Sequence, residues 1–274
     1  MFEGFEHLSR CFCEKSPAEK QRLMAELDPD NEKLLHQLSE TPVDDPVRPP
    51  QHSVGYPEKP TLVDARQLPK RSLRHKHGRG AFFHAICHIE FTAINLALDA
   101  ALRFPGMPID YYRDWLQIAK EEAAHFGMLV QHLGDIGYCY GDFDAHDGMW
   151  QLAERTSHDI LMRMALVPRV LEARGLDVTP AMIERLEQAK DLPGAALLKQ
   201  IYEDEIQHVA AGTRWLQFAA KLRGLDPERV FFDFVQQEFG QLRLNQFNQA
   251  GRLQAGFSPS ELKKLKHGKT HSSL

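Results

Sequence analysis

Residues 120–127, which read KEEAAHFG, contain the pattern from which the rest of the chain is best understood. Glu122 and His125 are three residues apart, so on a helix both side chains point to the same face from successive turns. A carboxylate and an imidazole placed in this way can bind one metal ion. The same spacing recurs at Glu205 and His208, inside another run of helical periodicity. One copy of so short a pattern is weak evidence, but its repetition argues against chance.

Another glutamate precedes each copy of the pattern at nearly the same distance. Glu90 lies 32 residues before Glu122, and Glu172 lies 33 residues before Glu205. One glutamate from each of two helices, with Glu-x-x-His from each of two others, is the ligand set of di-metal carboxylate proteins built on four-helix bundles. The spacing therefore predicts a di-metal site with the following ligands: Glu90, Glu122, His125, Glu172, Glu205 and His208.

Other glutamates compete for two of these positions. Glu121 adjoins Glu122 but fails the three-residue spacing to the histidine. Glu154 is an alternative to Glu172, but it lies 51 residues before Glu205 and breaks the near-equality of the two intervals. Taken alone, either copy is better explained as a surface glutamate beside a coincidental histidine. The metal interpretation gains its weight from the two copies and the two upstream glutamates together.

The charge and softness of these ligands indicate which metal they suit. Four glutamates and two neutral histidines carry a total charge of −4, which two divalent cations balance. Without metal, four buried carboxylates would repel one another at a cost on the order of several kcal/mol. Carboxylate oxygen with imidazole nitrogen suits iron or manganese better than thiolate-preferring metals. The sequence predicts two Fe ions, with Mn or a mixed Fe/Mn pair as the next candidates and Zn as a weaker one.

The composition limits the class of protein and its location. The 274 residues are 43% hydrophobic and 26% charged, as in an ordinary globular protein. A net charge of −5 gives no general attraction to nucleic acid or to an anionic membrane. No apolar run reaches the length of a transmembrane helix, and residues 1–10 lack the apolar core of a secretion signal. Four cysteines do not make a disulfide framework in this length, so a cytoplasmic location is predicted.

Helix start and stop signals predict a nearly all-α protein in four segments. Residues 1–40 form an N-terminal helical segment, in which Ser16 is the predicted cap of a helix that runs to about Leu38. Residues 41–79 form a strap that is first rich in proline and then basic. Residues 80–225 form the four-helix bundle, and residues 226–274 form a C-terminal helical extension. No period-two strand pattern is present in the sequence.

The third predicted bundle helix runs from about residue 147 to Arg174, with Gly175 as its C-cap, and contains Pro168 one turn before Glu172. Proline removes a backbone donor and disturbs the preceding turn. Two outcomes are open at this point. The helix kinks beside the metals and makes room there, or one helix ends near Val167 and another begins at Pro168.

Four polar or thiol side chains share helices with the predicted ligands. His84, Cys87 and His88 precede Glu90, and Tyr202 lies three residues before Glu205 on the same face. Packing or hydrogen bonding to a neighbouring helix is the expected role of the first three, with contacts to the ligands as the alternative. Tyr202 has three open roles: a hydrogen-bond donor near the metals, a redox-active phenol, or a core residue.

The sequence around these ligands resembles the ferritin-like superfamily and, more closely, the bacterial family known as domain of unknown function 455. Four stretches carry the resemblance: residues 84–99 (HAICHIEFTAINLALD), 119–126 (AKEEAAHF), 171–177 (LEARGLD) and 204–209 (DEIQHV). The resemblance covers roughly residues 80–225 and implies a ferritin-like four-helix bundle with extra N- and C-terminal helices. Glu172-Ala173-Arg174 and the Glu-x-x-His-Phe pattern also resemble, more distantly, the di-iron hydroxylase that modifies isopentenylated adenosine in tRNA.

This resemblance implies an oxidoreductase of the hydroxylase or oxidase type. Two iron ions would activate O₂ to oxidise a small molecule or a nucleoside, with electrons from an external donor.

A second hypothesis is iron handling, as a ferroxidase or storage protein, and a third is a metal-free helical interaction module. Storage needs a cage of many subunits, which the long terminal segments would obstruct. A homodimer is the hypothesis for the oligomeric state. The basic segments 70–79 and 263–269 leave RNA open as a partner, although the acidic total argues against tight nonspecific binding.

Overall fold

The protein is described by a computed structural model that covers residues 3–42, 44–45, 48–69, 72–240, 242, 244 and 246–266. Within these residues the chain is all-α, as predicted, with no strand and one isolated β-bridge between Leu62 and Ala145. The two basic segments singled out in the sequence, 70–79 and 263–269, lie partly outside the described residues.

The described helices follow one another along the chain, and the longest connection is the strap between Glu40 and Lys76. They are α1 (Glu3–Cys13), α2 (Pro17–Glu26), α3 (Glu32–Glu40), α4 (Lys76–Arg103), α5 (Ile109–Asp135), α6 (Gly148–Arg155), α7 (Ile160–Leu166), a π-helix (Val167–Glu172), α8 (Ala173–Gln188), α9 (Leu192–Leu222), α10 (Pro227–Phe239), α11 (Gln249–Gln254) and α12 (Pro259–Lys266). Two short 3₁₀ turns, Gln51–Ser53 and Ala65–Gln67, lie in the strap. Contacts divide the chain into two compact units, Met1–Trp150 and Gln151–Leu274. The predicted bundle at residues 80–225 has helices in both units, and the predicted division into four segments stays a prediction.

Helices α4 and α5 form the core of the first unit, where they pack against each other along their length. They are joined by a tight turn in which Gly106 has a φ of +75°, a conformation that favours glycine. Helix α4 is long and apolar enough to cross a membrane, by length and composition only, over a window of 18 residues. However, 83% of that window is buried inside the protein, which is typical of a core helix.

The helix predicted from Ser16 to about residue 38 is two helices in the structure. Ser16 caps the first as predicted, since its side chain accepts a hydrogen bond from the Glu19 N–H. The helix ends at Glu26, shortly before Pro29, because proline disfavours helical conformation in the residue before it and cannot donate to the ladder. Asn31 then caps α3 by accepting from the Leu34 N–H at 3.1 Å.

A buried lysine joins the N-terminal helices to α4. Lys20 on α2 is fully buried, and its Nζ donates to Asn95 Oδ1 at 2.5 Å and to the Phe12 carbonyl at 3.2 Å. Burial lowers the pKa of Lys20 to about 7, although the charges of neighbouring acidic groups oppose the change. The residue therefore contributes a pH dependence to the stability of this unit.

Stability of the wild-type protein should rise with pH relative to a Lys20→Met variant. The folded pKa is about 7 and the unfolded reference is 10.5, so between these values the unfolded chain binds one more proton than the folded chain. Raising the pH through this window stabilises the folded state by up to about 1.4 kcal/mol per pH unit. We expect the difference in unfolding free energy between the two proteins to grow by about 2 kcal/mol from pH 7 to pH 9, measured by urea denaturation. Lys33→Met, at an exposed position, controls for the lost charge, and a constant difference would contradict the prediction.

The C-terminal unit is built on α8 and α9, which pack against each other, with α7 and α10 against their side. Asp191 caps α9 by accepting from the Gly194 N–H at 3.1 Å. Two predictions in this unit are wrong. The helix expected from about residue 147 is divided into α6 and α7, and α8 continues through Gly175, where a C-cap was expected. Gly175 does not adopt the left-handed conformation that ends helices, so the chain continues through Pro180 to Gln188.

Pro168 lies inside the π-helix. Helix α7 ends at Leu166, the backbone widens through Glu172, and α8 begins directly at Ala173. The chain thus remains helical through the proline, and the disturbance predicted from its missing donor takes the form of wider turns. Of the two predicted outcomes, a fresh helix start at Pro168 is wrong, because the π-helix begins at Val167 and runs through the proline, whereas the kink stays a prediction.

Gly212→Ala should destabilise the protein, whereas Gly175→Ala should stabilise it. A Cβ at Gly212 on α9 would lie 2.3 Å from the Pro168 Cγ, and the rigid proline ring cannot rotate away. We expect a net loss of about 1–2 kcal/mol at Gly212 from this overpacking. A Cβ at Gly175 meets nothing within 4 Å, so alanine there should gain about 0.5–1 kcal/mol. Urea denaturation of both variants measures the two changes, and changes of the same sign would show that Pro168 does not press on α9.

Candidate metal centre

Three predicted ligands of the first unit lie together between α4 and α5. Glu90 on α4 and Glu122 and His125 on α5 each place one ligand atom within 4.8 Å of the others. The Nδ1 atom of His125 is 3.5 Å from Glu90 Oε2 and 3.5 Å from Glu122 Oε2. Ligand atoms that surround one ion at about 2.1 Å lie at separations of this order. The side chains are almost fully buried, with exposed fractions of 3%, 1% and 2%.

The charges of the two glutamates dominate the protonation of His125. Burial by itself lowers the pKa of this imidazole, but hydrogen bonds to Glu122 and Glu90 and their negative charges prevail and raise the pKa to about 11. In the absence of metal the imidazole is therefore a cation that holds the two carboxylates together. A divalent cation would serve the same electrostatic purpose at this position, so the residues present fit a metal ion.

Cys87 lies on the same helix as Glu90 and is buried. Burial, and secondarily the charge of Glu90, raises the pKa of the Cys87 thiol. In the metal-free protein the raised pKa therefore favours the neutral thiol, which is a weaker metal ligand than a thiolate.

The second Glu-x-x-His pair lies on α9 in the C-terminal unit. His208 is fully buried, and its Nδ1 is 3.6 Å from Glu205 Oε1, while the Glu205 side chain is 15% exposed. Glu172, the remaining predicted ligand, is the last residue of the π-helix and is half-buried. The three-residue spacing thus brings carboxylate and imidazole together in this unit as it does in the first.

The competing glutamates occupy different surroundings. Glu121 is partly exposed on α5, where it accepts a hydrogen bond from Gln117 Nε2 at 2.7 Å. Glu154 is exposed on α6 and does not share a helix with Glu172. Both side chains are more hydrated than the buried Glu90 and Glu122. A metal ion would therefore stabilise their charges less than it would stabilise the charges of the buried carboxylates.

The two histidines that precede Glu90 bind the loop after α5. His84 Nε2 accepts a hydrogen bond from the Gly141 N–H at 2.9 Å, and His88 Nδ1 is 2.9 Å from the Tyr140 hydroxyl. The Tyr140 ring also stacks on His84, with the ring centroids 5.3 Å apart. These are hydrogen bonds and ring packing, as expected, but the partner is a loop and not a neighbouring helix. Tyr140 was not expected from the sequence, because its loop has no periodicity that would reveal its buried contacts.

Tyr202 is also positioned by a distant part of the chain. Its hydroxyl accepts a hydrogen bond from Asn248 Nδ2 at 2.8 Å, at the start of α11. The polar contact that the structure shows for Tyr202 is with the C-terminal extension. The three roles predicted for this residue stay predictions. A helix face read from sequence could not anticipate this partner, which is 46 residues away.

The fold and this buried group define an all-α protein with paired carboxylates and imidazoles on its long helices. The family model described as "Protein of unknown function (DUF455)" matches residues 13–263, and the chain belongs to this family. A Haemophilus influenzae protein described as "Uncharacterized protein" is 44% identical over 256 residues, which cover 90% of this chain and 88% of the relative. No solved structure matches the chain. The family assignment made from the sequence is confirmed, and the functional assignments stay predictions.

Proposed function

We propose that the protein is a non-haem di-iron oxidoreductase that uses O₂ to hydroxylate or oxidise an organic substrate in the cytoplasm. The observation that carries the proposal is the buried group of Glu90, Glu122 and His125, with ligand atoms within 4.8 Å of one another. Two carboxylates and one imidazole form half of the ligand set of ferritin-like di-metal proteins. A buried group of this kind has little structural advantage over an apolar one unless it binds something.

We infer that Glu172, Glu205 and His208 supply the other half of one di-metal centre in a ferritin-like bundle. The support is the repeated spacing in the sequence and the 3.6 Å approach of His208 to Glu205. The six side chains would carry a charge of −4, which two divalent ions balance. In this arrangement each histidine would bind one ion, and the glutamates would provide the remaining oxygen ligands, some of them shared.

Bound iron would supply the electron transfer to O₂ and the oxidation of a C–H bond, with electrons from an external donor. The chain's own residues would hold the ions and exclude water. The near-complete burial of Glu90, Glu122 and His125 keeps bulk solvent from this part of the centre, which limits side reactions of the oxidant.

The π-helix favours a reactive centre over a static one. Single π-helical turns in helical proteins occur frequently at functional sites, because the wider turn moves side chains and opens backbone groups. Here it ends on a predicted ligand, Glu172. The distant resemblance to a tRNA hydroxylase leaves a modified nucleoside among the substrates, beside small molecules.

Anaerobic reconstitution with Fe(II) tests the proposal. We expect about two irons per chain and, after mixing with O₂ and a reductant, O₂ consumption and an optical change that depend on iron. Zinc-loaded protein is the matched control, since zinc has no redox chemistry. Incubation of the iron protein with small-molecule and nucleoside extracts under ¹⁸O₂ should label one product.

Two results would contradict the proposal. A chain that binds no metal after reconstitution would favour the helical interaction module. A many-subunit particle by size exclusion, which oxidises many Fe(II) ions per chain without labelling any organic product, would favour ferroxidase or storage activity.

A further inference from the structure

The segment that carries Glu172 is held on both sides by buried ion pairs to the C-terminal extension. Arg169, three residues before Glu172, donates through Nη2 to Glu261 Oε1 on α12 at 2.7 Å. Asp177, five residues after Glu172, accepts from Arg252 on α11 at 2.9 Å and 2.7 Å through its two oxygens. Both pairs join residues that are far apart in the chain, so the extension constrains the π-helix and the start of α8.

Arg169 lies in buried, aromatic surroundings, so its charge requires the carboxylate of Glu261 as a partner. The side chain is almost fully buried, and its guanidinium lies over the rings of Phe231 at 4.4 Å and Phe257 at 4.2 Å. Its Nε donates to Thr213 Oγ1 on α9 at 3.1 Å. Removing a carboxylate partner from a charge buried this deeply leaves it uncompensated, which is strongly destabilising.

Glu261 binds two elements at once. Its Oε1 accepts from Arg169, and its Oε2 accepts from the Ser258 N–H at 2.7 Å. The Ser258 hydroxyl in turn accepts from the Glu261 N–H at 3.0 Å, which completes a capping box at the start of α12. The beginning of α12 is therefore fixed against the π-helix through one carboxylate.

The ion pair between Asp177 and Arg252 is also supported by hydrogen bonds from Asn248. Besides the Arg252 pair, Asp177 Oδ1 accepts from the Asn248 N–H at 3.0 Å. The Asn248 side-chain amide donates to the carbonyl of Leu176 at 3.0 Å. Helix α11 thus holds both the side chain of Asp177 and the backbone beside it.

We propose that the C-terminal extension sets the direction of the Glu172 side chain, with Glu261 as the principal positioning residue and Arg252 as the second. The inference rests on the proposed function, since it concerns a ligand of the proposed centre. A π-helix is bonded from residue i to residue i+5 and is rare in proteins, so contacts from the rest of the fold are expected to help maintain its geometry. The two ion pairs supply those contacts on either side of Glu172. Without them the π-helix can relax, and the carboxylate loses its fixed position.

Binding of Co²⁺ to the Glu261→Gln variant tests the inference. Wild-type protein should bind two Co²⁺ per chain in an anaerobic optical titration, and the variant should bind one of them about 10–100-fold more weakly. Glu238→Gln is the matched control, because it removes the carboxylate that pairs with the half-exposed Arg155 and leaves the π-helix contacts intact. Hydrogen exchange in residues 167–177 of the metal-free variant should be faster than in wild type, while residues 120–127 should not change.

A double variant separates positioning from stability. Arg169→Met with Glu261→Gln removes both charges, so no uncompensated charge remains buried and the melting temperature should recover. Weak binding of the second Co²⁺ in this stable protein supports the positioning role. Full recovery of binding with the recovered stability would overturn it. A wild-type protein that binds no Co²⁺ would overturn the proposed function itself, whereas wild-type and Glu261→Gln proteins that bind two ions equally would overturn only this inference.

Discussion

Chelation of the metal-loaded protein should lower its melting temperature by about 15 °C at neutral pH. Ions that bind only the folded chain, each at about a thousandfold above its Kd, add about 4 kcal/mol apiece to the unfolding free energy. Two ions therefore add about 8 kcal/mol, and each kcal/mol corresponds to about 2 °C in a chain of this size. Calorimetry of the iron- or cobalt-loaded protein before and after anaerobic dialysis against a chelator measures the change.

The physical reason for this effect lies in the buried carboxylates. Glu90 and Glu122 are both less than 4% exposed and share the imidazole of His125 as a cationic neighbour. Without metal the folded state keeps two buried carboxylates with one imidazolium between them, which leaves one negative charge uncompensated, whereas the unfolded state hydrates all of these groups. A Glu122→Ala, His125→Ala double variant is the control, because it should retain at most one ion and its melting temperature should therefore respond less to the chelator. An unchanged wild-type melting temperature would mean that the glutamates are not metal ligands.

Glu122→Ala should greatly reduce metal binding, whereas Glu121→Ala should leave it nearly unchanged. Glu122 is buried beside His125, while its neighbour in the chain is partly exposed and bonded to Gln117. Loss of a direct carboxylate ligand should weaken binding by about 100-fold or more, because even residues that only support ligands contribute 10–100-fold. Metal analysis after dialysis measures the content, and we expect Glu122→Ala to retain at most one ion per chain.

The adjacent pair gives a closely matched comparison, since both variants remove one glutamate from the same turn of α5. Equal losses of metal would show that the ligand face of this helix is misassigned. Glu205→Ala extends the comparison to the second unit, where the carboxylate lies 3.6 Å from His208. If this variant keeps the full metal content, the second Glu-x-x-His pair is not part of the centre and the di-metal proposal fails.

Local rules were sufficient for much of the fold. Helices α4, α5 and α9 follow from apolar periodicity and from the proline and glycine residues at their ends, because these signals act within a few residues. The contact of His125 with Glu122, and of His208 with Glu205, follows from the geometry of one helical turn. The family was also recognisable from the short stretches around these residues. Each of these conclusions depends on residues that are neighbours in the chain.

Only the tertiary structure showed how the chain surrounds these helices. The buried basic side chains of Lys20, Arg169 and Arg252 donate hydrogen bonds to residues 75, 92 and 75 positions away, and no local pattern links such positions. A helix is expected to end where it meets proline or glycine, yet the chain passes Pro168 as a π-helix and continues through Gly175 as α8.

The physical reason is that burial sets these outcomes. A charge inside the protein requires a compensating partner wherever the fold places one, and packing against distant helices can outweigh a local signal worth about 1–3 kcal/mol. The sequence by itself therefore determined the helices and the candidate ligands, and the tertiary structure decided which side chains support them.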